Sequence, residues 1–293
     1  MASSPLNTKS PFHARSNSLP SRPHPLVAQI DEHLSRLEAS QAASSSISNN
    51  INGLADIYDL VNNFLLLPHT LQALTQECLE KQVDEVLDRS LKLVNVCGIT
   101  KDALLQIKEE AQELQSVLRR RWGDESTVAK EVAEYLCLRK KENKQIRESL
   151  KDLKSTCSLS STKNETTGII CMLREVEAAT LRMFESLLPY ISGTKPQSRP
   201  SSWSLVSKLM HSKRVSCEAR QATQQVNEFE KADATLYSLI GHKSRKSSNT
   251  NADNSQNALG KLDLCIQDLE EGLERLLRRS IKTRVSLLNI LNH

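Results

Sequence analysis

The chemical event that this sequence most directly sets up is transfer of a phosphoryl group to Ser18, within Arg15-Ser16-Asn17-Ser18-Leu19-Pro20. Arg15 lies three residues before that hydroxyl, an offset that basophilic kinases read. Pro20 lies two after it and turns the chain, as suits a phosphoserine gripped by the Arg cluster of a 14-3-3 adaptor. Arg15, Ser16, Ser18 and Pro20 thus supply every fixed position of an R-S-x-S-x-P docking pattern. Phosphorylation would add about −1.5 to −2 charge to an arm that carries Lys9, Arg15 and Arg22 and no acid before Asp31.

A second stretch suits docking. From Trp203 to Arg214, helical spacing puts Trp203, Val206 and Met210 near one face, with Lys208, Lys213 and Arg214 beside it. Such a face fits an anionic membrane surface or a partner's groove, and it also fits plain packing at a helix start. Catalytic signatures do not emerge: the sequence holds no G-x-G-x-x-G, Walker loop, H-E-x-x-H or G-x-S-x-G. Asp31-Glu32-His33 and Asp56-Ile57-Tyr58-Asp59 gather titratable groups, but neighbours on a helix point in different directions, so these read as surface or boundary groups. The expectation is no enzyme, with no catalytic, cofactor-binding or metal-binding residue and no cofactor. The seven cysteines are odd in number, without C-x-x-C pairs or His at ligand spacing, and read as small apolar residues in a reducing compartment.

Composition limits the partners. A net charge of +4, from 39 basic and 35 acidic residues, is too small and dispersed for a nucleic-acid footprint. No apolar run is long enough to span a bilayer, and no secretory h-region is present. An intracellular, cytoplasmic location is expected, with the nucleus or the surface of a membrane as the alternatives. The Arg139-Lys140-Lys141-Glu142-Asn143-Lys144 run resembles a weak import patch but reads better as a solvated helix face.

The elements that must hold these segments are helices. Aromatics make up 3% of the 293 residues, and eight glycines and nine prolines are few for a chain of many strands and turns. The fold class expected is all-α, an elongated bundle of six to eight helices. Five prolines make residues 1–25 a disordered arm; residues 26–191 form the bundle, 192–202 a linker, 203–240 a helix, 241–256 a flexible polar loop and 257–293 a final helix. Within the bundle, Pro68 ends one helix, Gly98 ends the next and Thr100 caps another that runs to Arg121. In the last segment Leu259, Leu262, Ile266, Leu269, Leu273 and Leu276 step by 3, 4, 3, 4, 3, a coiled-coil seam that can close within one chain or between two.

The Phe12–Pro25 arm, Leu65-Leu-Leu-Pro68, Leu93–Gly98, Leu114–Arg121, Trp203–Lys208 and the Ile281–His293 tail closely resemble the plant-specific "domain of unknown function 241" family. That family is similar to the plant BYPASS proteins. The resemblance implies a plant protein with a role in root and shoot development, and it supplies no catalytic residues. Together these readings predict a non-enzymatic helical scaffold or adaptor with protein partners, the alternative being a peripheral membrane protein in the same developmental context.

Overall fold

The computed structural model describes residues 24–42, 47–74, 80–120, 125–159, 168–193, 227–241 and 248–291. Eight helices and no strand are found among them: α1 (Pro25–Ala42), α2 (Ile47–Leu65), α3 (Pro68–Leu74), α4 (Glu80–Arg120), α5 (Glu125–Leu159), α6 (Gly168–Ser192), α7 (Glu228–Gly241) and α8 (Ser248–Leu291). The fold is the expected all-α bundle.

α8 organises it. Its 44 residues span about 66 Å at 1.5 Å per residue, and it packs against α2, α4 and α7. Polar contacts fix the directions. Lys101 meets Glu274, Lys108 meets Glu270 and Gln112 meets Asp263, so α4 and α8 run antiparallel. Arg275 with Asn52, Arg279 with Asp56, and Ser286 with Asn62 place α2 parallel to α8. The seam Leu259, Leu262, Ile266, Leu269, Leu273, Leu276 is at most 1% exposed and closes inside this chain's own core. Burying each such side chain contributes about 1.5–3 kcal/mol, which is why this helix follows its heptad spacing so strictly.

Helix ends follow local chemistry in several places. Pro25 is the first residue of α1, where its missing N–H costs nothing, and the Leu26 amide donates to His24 Nδ1 at 3.2 Å. Pro68 acts in the same way: α2 stops at Leu65, and Pro68 then opens α3. Two expectations fail between Glu80 and Arg120, where α4 runs uninterrupted through Gly98 and Thr100. The buried stripe Leu93, Val96, Cys97, Thr100, Leu104, Ile107 continues across the glycine, and tertiary packing outweighs its ~1 kcal/mol propensity cost. Thr100 is no N-cap; its hydroxyl donates back to the Val96 carbonyl at 2.7 Å within the helix.

α8 also begins at Ser248, inside the stretch expected to be a flexible polar loop, and Ala252 and Ser255 of that stretch are buried. Polar composition alone suggested a loop there, whereas the buried stripe extends two turns further than its leucines, through Ser255 and Ala252. α6 passes through Pro189 to Ser192. Its C-terminal carbonyls are taken up by side chains from elsewhere, and Gly193 follows at φ 62°, the left-handed turn-off that glycine accommodates.

Candidate functional site

Two buried polar centres and one open groove are the places where side-chain chemistry converges. The first centre lies at the junction of α2, α4, α6 and α8. Arg89 Nε donates to Glu177 Oε2 at 2.8 Å with both side chains buried, and the Tyr58 hydroxyl meets Thr180 Oγ1 at 3.0 Å. Beside them a cavity of about 20 Å³ is lined by Tyr58, Ser90, Glu177, Ser280 and Thr283 among apolar neighbours. That is room for one water and for no substrate. Glu177 Oε1 lies buried here without a hydrogen-bond partner. Burial pushes the Glu177 carboxyl up to about 7, with Arg89 and then Arg174 opposing the shift. Burial likewise raises Tyr58, which holds its phenol protonated.

The second centre is built on Arg139 of α5. Its guanidinium donates to Asp233 of α7 and, at 2.6 Å, to the Ile191 carbonyl at the end of α6. It also lies 5.1 Å from the Phe229 ring centroid and 5.9 Å from that of Tyr135, within cation–π reach. Asn227 completes the junction from two sides: its Nδ2 donates to the Tyr190 carbonyl at 3.0 Å, and its Oδ1 accepts the Glu230 amide at 2.8 Å as N-cap of α7. The Tyr190 hydroxyl donates to Glu228 and approaches Cys265 of α8, so four helices meet at this point. Burial raises Asp233, opposed by Arg139.

Arg139, Glu142 and Asn143 therefore do not belong to a solvated face: they are 3%, 3% and 9% exposed, while Lys140, Lys141 and Lys144 of the same run are exposed. The signal available in the sequence was helical spacing, since residues 139, 142 and 143 share one face with the buried Tyr135 and Ile146. The charge run masked it.

The groove lies on the outer surface of α4 and α8, about 660 Å³ in volume, lined by Lys101, Glu270, Glu271, Glu274, Arg275, Arg278 and Arg279. Its charged side chains are engaged with neighbours: Arg275 donates to Asn52, Glu271 accepts from Gln267, and the others form ion pairs. Lys101 and Arg278 both hold Glu274, at 2.5 and 2.6 Å, and keep its carboxyl below the usual range. Arg279 reaches Asp56 at 2.9 Å and Asp59 at 2.7 Å. Lys108 pairs with Glu270. A groove of neutralised pairs offers a contact surface rather than a poised acid or base.

The other titratable clusters read from the sequence are dispersed. Glu32 pairs with Arg36 on the surface of α1. Asp56 and Asp59 face Arg279, whereas Tyr58 between them points into the core. Cys97 is buried with its thiol pushed up to about 12, and Cys137 and Cys171 are exposed. Arg15, Ser16, Ser18 and Pro20, and Trp203, Val206, Lys208, Met210, Lys213 and Arg214, lie outside the described residues. Among the described residues no helix is long and apolar enough to cross a membrane.

The family model described as Protein BPS1 matches residues 50–290, from the start of α2 to the last turn of α8. This is the BYPASS-type "domain of unknown function 241" family that the motifs resemble. No curated protein and no solved structure gives a significant match.

Proposed function

The chain belongs to the BPS1 family, and we propose that it is a non-enzymatic helical scaffold or adaptor acting in root and shoot development of plants. The observation that carries this reading is the use to which its buried polar groups are put. Arg89 and Glu177 tie α4 to α6, Tyr58 and Thr180 tie α2 to α6, and Arg139 ties α5 to α6 and α7. Each of these groups locks helices in place, and the cavity beside Tyr58 and Glu177 has room for one water and for no substrate. A rigid bundle of this kind positions whatever its surfaces and arm bind.

In this reading the arm is the regulated contact. Phosphorylation of Ser18 converts a basic, acid-free segment into a docking site for a 14-3-3 adaptor, with Arg15, Ser16 and Pro20 completing the pattern. The location is cytoplasmic. The test is capture of 14-3-3 by the full chain, phosphorylated by a basophilic kinase, against Ser18→Ala treated in the same way. Capture that disappears with the Ala variant supports the adaptor role; equal capture by both rejects this docking site. Flotation of the full chain with anionic vesicles, together with absent capture, would replace the scaffold by a peripheral membrane protein.

A further inference from the structure

We propose that the cavity between α2, α4, α6 and α8 is the seat of one resident internal water, held between Oε1 of Glu177 and the hydroxyl oxygens of Tyr58 and Ser280. The cavity measures about 20 Å³, enough for a single water. Glu177 Oε1 is buried in it and, among the described residues, receives no hydrogen bond, because Arg89 Nε donates to the other oxygen, Oε2. The remaining polar side chains that line it are the hydroxyls of Tyr58, Ser90, Ser280 and Thr283.

Each of those hydroxyls has already given its proton away. Ser90 donates to the Leu87 carbonyl at 2.8 Å, Ser280 to that of Leu276 at 2.7 Å, and Thr283 to that of Tyr58 at 3.4 Å. A carbonyl has no proton to give, so the direction of these bonds is fixed. Thr180 likewise donates to the Val176 carbonyl at 2.7 Å, and its 3.0 Å contact with Tyr58 is therefore donated by the phenol. What faces the cavity is a carboxyl oxygen and a set of hydroxyl lone pairs. Such a cage of acceptors takes a small ligand with two protons to donate.

Water meets that demand, and charge excludes cations of similar size. Arg89 is bonded to Glu177, Arg174 lies close on the same helix and pairs with Glu85, and Arg284 of α8 donates to Ser90 Oγ at 3.0 Å. An ammonium or metal ion would enter a surround that is already cationic. In protonated Glu177 the proton sits on Oε1, because Oε2 accepts from Arg89. The acid then donates to the water, and the water donates to Tyr58 and Ser280, which gives it the roughly three bonds usual for buried water. In ionised Glu177 the water turns and gives one proton to Oε1. A single molecule thus joins α2, α6 and α8.

This water site is independent of the adaptor reading and fails separately from it. Its first test is a crystal structure of the full chain in which ordered solvent is visible. The expected result is one water in the cavity, about 2.5–3.0 Å from Glu177 Oε1 and from the Tyr58 or Ser280 hydroxyl. An empty cavity, or Oε1 turned onto a protein donor, overturns the site.

The second test is made in solution with Val86→Ile, which adds one methylene to the apolar wall of the cavity. Water magnetic relaxation dispersion should lose the amplitude of one long-lived water in the variant. Urea denaturation supplies the sign, because filling a dry cavity stabilises a fold. Here the isoleucine displaces the water from Glu177 and should raise the unfolding equilibrium constant about tenfold. Unchanged dispersion together with a gain in stability overturns the proposal. If Val86→Ile does not fold, the wild-type crystal structure decides alone.

Discussion

Replacing Glu177 by glutamine should change the pH dependence of folding in a direction opposite to that of an ordinary salt-bridged carboxylate. Glu177 is 8% exposed, faced by Arg89 from α4, by Arg174 on its own helix, which itself pairs with Glu85 of α4, by Tyr58 from α2, and by the hydroxyls of Ser280 and Thr283 from α8. Burial outweighs the cations and raises its carboxyl from 4.5 to about 7. A group whose folded pKa is raised contributes stability that is fully present below its unfolded pKa and is lost as pH rises through the folded one. The window is therefore pH 4.5 to about 7. At ~1.4 kcal/mol per decade of proton affinity the whole step amounts to about 3 kcal/mol.

Glutamine mimics the protonated acid and does not titrate. Urea denaturation of wild type and Glu177→Gln should give nearly equal stabilities at about pH 4, with the variant more stable by about 3 kcal/mol at about pH 8. If glutamine instead destabilises the protein more at the higher pH, the ionised Arg89–Glu177 pair is the favoured form, and the reasoning from burial is wrong.

Two glycines on the long helices, Gly98 and Gly272, should respond to alanine in opposite ways. At Gly98 an added Cβ meets nothing within 4 Å, so Gly98→Ala should raise stability by about 0.5–1 kcal/mol in thermal melts; a loss would mean that α4 breaks there after all. At Gly272 the new Cβ would lie 3.0 Å from Ile51 Cγ2, and Gly272→Ala should cost about 1–2 kcal/mol through overpacking of α8 on α2. Arg139→Met should cost about 3 kcal/mol, because it leaves Asp233 and the Ile191 carbonyl without their donor. Limited proteolysis should then cut first around α7. Leu273→Ala, at a position with 0% exposure in the seam, should cost about 2–5 kcal/mol in urea denaturation.

The fold was largely legible because its signal is periodic. The seam from Leu259 to Leu276 could be read directly, and it is a stripe that the core buries. Punctuation was harder. Gly98 and Thr100 carry the residue types of a helix boundary, but their neighbours continue one buried face, and packing prevails over local preference. The polar start of α8 misled in the same way.

The polar centres were nearly invisible in advance. Arg89 and Glu177 are 88 residues apart, and Arg139 and Asp233 are 94 apart, so only the tertiary fold brings them together. Arg139 sat inside a run whose charge suggested solvent, although its spacing from Tyr135 placed it inward. Ser18 and the Trp203–Arg214 stretch were conspicuous for the contrary reason: their chemistry is local and needs no fold to be recognised.

Whether the protein works by holding partners is tested most directly by quantitative affinity purification of the full chain from plant tissue, run beside Ser18→Ala. The prediction is a reproducible partner set for wild type and loss of 14-3-3 from the Ala variant alone. Identical recoveries from both chains would contradict it.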